Sequence, residues 1–155
     1  MIQRIQSVYL LVAAIRVAVT DFFPLAHCFV SQQGFYTINS YGVVASNVAE
    51  FTGSNMWCWV STAFSVVAFV FIVMALFGYK NRISQMKRCI YAILAILAYY
   101  VFFGIEVWSL NNTTGVFPSL EIIAEMPLIA IILIFLAGRA IKRDEDLVRS
   151  MDRIR

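Results

Sequence analysis

Four stretches of this chain, roughly residues 6–29, 56–79, 89–109 and 119–141, are apolar apart from isolated polar positions. Each exceeds the about 20 residues that a helix needs to cross the hydrocarbon core of a bilayer. A chain of 155 residues forms one core of modest size, with no room to bury four such segments on every side in water. Composition agrees: 61% of residues are hydrophobic and 14% charged, against about a quarter charged in soluble domains. A transmembrane β-barrel would need short alternating strands and regular turns, whereas these runs are unbroken. The expected fold class is all-α: a polytopic membrane protein, a single domain over residues 1–155, with four transmembrane helices in an up-down bundle. Arg4 and the apolar run after it have the outline of a signal peptide. That run contains Arg16 and Asp21, however, and continues to Phe29 without a clear small-x-small cleavage site, so it reads as a helix of the mature chain.

Basic residues set the expected orientation. Lys80, Arg82, Lys87 and Arg88 lie between the second and third segments, and Arg139, Lys142, Arg143, Arg149, Arg153 and Arg155 follow the fourth. With Arg4, eleven of the twelve Lys and Arg fall on one side, and segments 30–55 and 110–118 have none. The positive-inside rule then puts both termini and the 80–88 loop in the cytoplasm. The net charge of +3 is a topology signal rather than a mark of nucleic-acid binding, and membrane lipids are the expected contact of the basic rim.

Outside the membrane the largest piece is 30–55, "VSQQGFYTINSYGVVASNVAEFTGSN". Its glycines and its β-type "FYTI" and "YGVV" fragments fit either short strands capping the outer helix ends or a plain connecting loop. Trp57, Trp59 and Trp108 on one side, and Tyr79 and Tyr91 on the other, form the aromatic belts expected at the two interfaces.

The opening "MIQRIQSVYLLVAA", the loop "NRISQMKRC", the "MPLIAIILIFLAGRAI" of the fourth segment and the ending "KRDEDLVRSMDRIR" resemble an uncharacterised family of small four-helix membrane proteins of the Bacteroidetes, a domain of unknown function. The resemblance spans essentially the whole chain and is most specific at its two ends. It implies a four-helix protein of a Gram-negative inner membrane, and it brings no activity to any residue.

After Ala140 the chain reads "AIKRDEDLVRSMDRIR", with Leu147, Val148, Met151 and Ile154 at helical spacing on one side. Glu145 with Arg149, and Arg149 with Asp152, are spaced for intrahelical ion pairs. The fourth helix is expected to continue into the cytoplasm as the helical tail 142–155. Its apolar stripe is a candidate contact for another subunit of a membrane complex, the alternative being a solvated helical stub.

Arg16 and Asp21 are the anomaly of the first segment. Counted at 1.5 Å per residue from Gln6, they lie about 15 and 22 Å deep. Five residues turn the helix so that their side chains point about 140° apart, poorly placed to pair with each other. By the same rise, Glu106 and Glu125 reach roughly similar depths. Arg16, Asp21, Glu106 and Glu125 are therefore a candidate intramembrane polar cluster, with Thr20, His27, Ser61, Thr62 and Ser65 available for hydrogen bonds. An ionised group at the bilayer centre costs at least about 2.5–3.5 kcal/mol. Such a cluster suits a proton or cation path or a polar ligand pocket. The alternative is that Glu106 and Glu125 sit in the headgroup region while Arg16 and Asp21 snorkel or pair with a neighbouring subunit. Pro127 is expected to free the carbonyl of Ile123 and kink the fourth helix.

Cofactor chemistry finds no support. His27 is the single histidine, which excludes a bis-histidine haem within one chain. His27, Cys28 and Cys58 lack zinc-site spacing. A Cys28–Cys58 disulfide is a candidate, since both fall at adjoining helix ends on the outer side, and Cys89 should stay a thiol. No phosphate loop and no catalytic triad is present, so neither enzyme nor cofactor is expected. What remains is a non-enzymatic accessory or assembly subunit, with a small transporter or proton-coupled component as the alternative; a lipid enzyme would have only acid–base groups.

Overall fold

The computed structural model of the chain describes residues 2–30, 34–46, 56–78 and 81–152. Helix α1 spans Ile2–Phe22, followed by β1 (Ala26–Val30), β2 (Gly34–Asn39) and β3 (Gly42–Ser46). Helices α2 (Met56–Phe77) and α3 (Arg82–Thr114) come next, then the short β4 (Ser119–Leu120), a 3-10 turn at Ile122–Glu125 and α4 (Met126–Asp152). All four helices are long and apolar enough to cross a membrane. α1 packs on α2 and α4, α2 on α3, and α3 on α4, which closes an up-down bundle with both ends of the chain on the same side.

The packing is the reverse of a soluble core. Facing inward are small residues: Ala13 and Ala14 of α1, Ala68 and Ala75 of α2, Ala92 and Ala95 of α3, and Ala130 and Ala137 of α4, interleaved with Leu10, Ile72, Ile96, Ile134 and Ile141. Large apolar side chains such as Val70, Leu97, Val101, Ile132 and Phe135 point outward. Small residues let helix backbones approach closely, which is how helices associate where lipid is as apolar as the interface.

Helix boundaries differ from the sequence expectation in three places. α1 ends at Phe22 instead of running to Phe29, because Pro24 disfavours helical backbone at the residue before it and lacks the N–H of a continuing helix. The apolar run changes period there: Ala26 and Cys28 face inward, His27 and Phe29 outward, as in a strand. α3 begins at Arg82, where the Asn81 side chain caps the backbone N–H of Ser84 at 3.2 Å. It continues through Asn112 to Thr114 and closes on Gly115, whose φ of 71° is the left-handed cap conformation. Its 33 residues measure about 50 Å, so both ends project beyond a bilayer core. Pro127, finally, does not kink a helix interior: α4 starts at Met126, and Pro127 occupies its first turn, where its missing N–H costs nothing.

The strands form one antiparallel sheet in the order β3-β2-β1-β4 at the end opposite the basic loop. Register pairs Cys28 with Tyr36, Ile38 with Val43 and Ala26 with Leu120. The "FYTI" fragment lies in β2, and "YGVV" enters β3 from Gly42, with Tyr41 in the turn. Ala26, Cys28, Tyr36, Ile38 and Val43 join Cys58, Tyr99, Phe103, Leu110 and Ala124 in a second core, so the sheet is packed onto the helix ends.

At the basic end the helices are latched by polar contacts. Gln6 Nε2 donates to Asp144 Oδ2 at 2.7 Å, tying α1 to α4, and Arg82 donates to the Asp144 carbonyl at 2.9 Å. Gln85 Nε2 and Arg88 Nη1 donate to the carbonyls of Ala75 and Met74 in the last turn of α2, where Met74 also accepts from the Gly78 N–H at 3.0 Å.

Candidate functional site

Helix α2 is apolar except for a stripe formed by Cys58, Ser61, Thr62 and Ser65, at spacings of three, four and seven, and all four are buried. Across from it α3 presents Tyr99, Phe103 and Glu106 on one face, with the rings of Tyr99 and Phe103 stacked 5.9 Å apart. From α1 comes Asp21, at the last turn before Pro24. The tip of the β2–β3 hairpin closes the layer from above.

Two parallel contacts join α2 to its neighbours. Ser65 Oγ donates to Asp21 Oδ2 at 3.1 Å, and Cys58 Sγ donates to Glu106 Oε1 at 2.8 Å. The hairpin is held by Ser40, whose carbonyl accepts from Thr62 Oγ1 and whose hydroxyl donates to the Thr20 carbonyl at 3.2 Å. Each carboxyl thus has one oxygen engaged. The second oxygens, Asp21 Oδ1 and Glu106 Oε2, are buried with no hydrogen-bond partner among the described residues, and so is the Tyr99 hydroxyl. Orphaned buried polar atoms are uncommon, because each costs about 1–3 kcal/mol. Three beside the polar stripe of α2, spread over about two helical turns, mark this seam as the chemically distinctive part of the molecule.

Asp21 also reaches outward. It lines a cavity of about 450 Å³ together with Phe22, Asn39, Tyr41 and Gly42, between the end of α1 and the hairpin. This vestibule puts the α1 carboxyl between the buried layer and the sheet end of the protein.

The four residues singled out from the sequence do not converge. Asp21 and Glu106 both bond to the polar stripe of α2, at positions about 10 Å apart along its axis. Arg16 turns the other way and donates to Met126 Sδ at 2.7 Å, with no acidic partner among the described residues. Glu125 is exposed in the 3-10 turn, in a groove with Tyr100, Gly104 and Leu128. Thr20 bonds back to the Arg16 carbonyl and Ser61 to that of Cys58. His27 lies on the outer face of the sheet, stacked on Phe35, with Nδ1 at 3.2 Å from Thr37 Oγ1 and Nε2 at 3.6 Å from Glu121.

The Cys28–Cys58 disulfide is not formed. All three cysteines are free and buried: Cys28 contacts the Val116 carbonyl at 3.6 Å, while Cys58 is spent on Glu106. The early end of α1 explains the difference, since it moves Cys28 from a helix end into β1. Among the described residues no three His, Cys, Asp or Glu side chains converge as a metal site. In the tail, Leu147 and Val148 are exposed on α4; the side chain of Met151, and Ile154 as a whole, lie outside the described residues.

Tyr99 is the site residue that sequence reasoning missed. Its signal was its place seven residues before Glu106, two helical turns along one face. Cys58 drew attention only as a disulfide candidate, although its spacing to Ser65 marks the polar stripe.

No curated protein and no solved structure matches the chain. A family model matches residues 2–154, and the chain belongs to that family, described as Domain of unknown function (DUF4293).

Proposed function

We propose that this protein is a non-enzymatic component of the bacterial inner membrane, with both termini cytoplasmic, that exchanges protons or a small cation along the seam holding Asp21, Tyr99 and Glu106. The observation that carries this reading is the set of three buried polar atoms without a hydrogen-bond partner among the described residues, two of them carboxyl oxygens of acids that form no ion pair with a described residue. Apolar surroundings tolerate a carboxyl that is neutral or that holds a cation, so such a pair stores a proton or an ion rather than a fixed charge. The vestibule at Asp21 supplies a route to one side. The basic residues gathered at the opposite end support the orientation.

A second reading, an accessory or assembly subunit, is favoured by α4 running on past the Asp144 latch with Leu147 and Val148 exposed. One preparation tests both. Protein extracted in mild detergent is sized, then reconstituted into vesicles holding a pH-sensitive dye under an imposed proton or sodium gradient. The site reading expects a flux that Asp21→Asn and Glu106→Gln abolish without changing elution. Equal flux in these variants and in protein-free vesicles refutes it, and a reproducible larger complex supports the subunit.

A further inference from the structure

At the basic end, a second cavity of about 320 Å³ lies in the groove between α3 and α4. We infer that this groove binds one acidic glycerophospholipid, with an acyl chain along its apolar floor and the phosphate between Arg139 and Lys142.

Three features carry the assignment. The lining is graded along the helix axis. Ile93 and Ile134 lie toward the middle of the bundle, and Arg139 and Lys142 stand about 7.5 and about 12 Å further along α4 than Ile134. That is the order of parts in a phospholipid: tail inside, headgroup at the rim. The second feature is the state of the cations. Arg82 and Arg88 spend their guanidinium groups on backbone carbonyls, whereas Arg139 and Lys142 are exposed and make no hydrogen bond or ion pair with a described residue. Neighbouring positive charges one turn apart repel unless an anion is shared between them. Third, Gly138 lines the groove, and a Cβ built there meets nothing within 4 Å. A glycine in a helix interior is unfavourable by about 1 kcal/mol relative to alanine, and here its missing side chain keeps the groove open beside the two cations. Basic pockets between transmembrane helices on the basic side of a membrane are suited to acidic headgroups. The volume lies at the small end of the about 300–1,000 Å³ typical of ligand clefts, which fits part of one chain.

The test is native mass spectrometry of the delipidated full chain, titrated in detergent with dioleoyl phosphatidylglycerol or dioleoyl phosphatidylcholine. A first phosphatidylglycerol should bind at least about tenfold more tightly than phosphatidylcholine. Each lost positive charge should cost about fivefold, so Arg139→Gln with Lys142→Gln lowers affinity about 25-fold. Gly138→Leu should lower it comparably with both charges intact, and Lys87→Gln, exposed at the same end outside the groove, should leave it unchanged. Arg139→Lys with Lys142→Arg should restore the preference. Equal binding of the two lipids overturns the headgroup assignment. Full affinity in Gly138→Leu, with the charge variants weakened, reduces the effect to diffuse surface attraction and overturns the site.

Discussion

Replacing Thr62 by valine removes one hydroxyl and almost no volume, which isolates a single polar contact. In the native protein Thr62 Oγ1 donates to the Ser40 carbonyl at the tip of the β2–β3 hairpin, and Ser40 in turn donates to the Thr20 carbonyl at 3.2 Å. Ser40 is 2% exposed, so no solvent replaces the lost donor and its carbonyl is left to the weaker contacts around it. Interhelical hydrogen bonds in membrane proteins average about 0.6 kcal/mol with a maximum near 1.7, and orphaning a buried acceptor costs about 1–3 kcal/mol. The overlap of these ranges is about 1–1.7 kcal/mol. Local opening of the hairpin should therefore rise about 5- to 20-fold. Hydrogen exchange in detergent micelles reads this directly. Amides of β2 and β3 should lose protection by that factor in Thr62→Val, those of the α4 core from Ala130 to Ile141 should not change, and Thr62→Ser should behave as wild type. Uniform loss across the bundle, or unchanged hairpin protection, would refute the claim that this contact pins the sheet to the helices.

Two further outcomes follow from the packing. Ala137→Leu places extra methylenes at a position with no exposure and should lower thermal stability in detergent by about 1–3 kcal/mol, whereas Leu136→Ala, on the lipid side, should cost far less. Without reductant, a maleimide should label the native protein slowly and reach three thiols per chain after denaturation; a count of one would show a disulfide that the structure does not contain.

The free thiols and the early end of α1 show where sequence reasoning stops. Pro24 stands in the sequence, but the apolar run that follows it suits a strand as well as a lipid-facing helix. Only pairing of β1 with β2, Cys28 opposite Tyr36, decides between them. The start of α3 at Arg82 was obscured in another way, since its basic first turns looked like a loop between spans. Asn81 is a good capping residue by type, but whether it caps depends on where the backbone turns.

Membrane class, the number of spans and the gathering of cations at one end were fixed by the residues alone, because transfer into lipid depends on side-chain composition summed over about 20 positions and on little else. Membership of the candidate site was decided by tertiary structure. Arg16, Asp21, Glu106 and Glu125 lie at similar depths counted along their own helices, and depth is a one-dimensional quantity. Which side chains meet also depends on how each helix is rotated about its axis, and the close-packed alanines set that rotation. It turns Arg16 toward Met126 and Asp21 toward Ser65, and it leaves Glu106 beside Cys58.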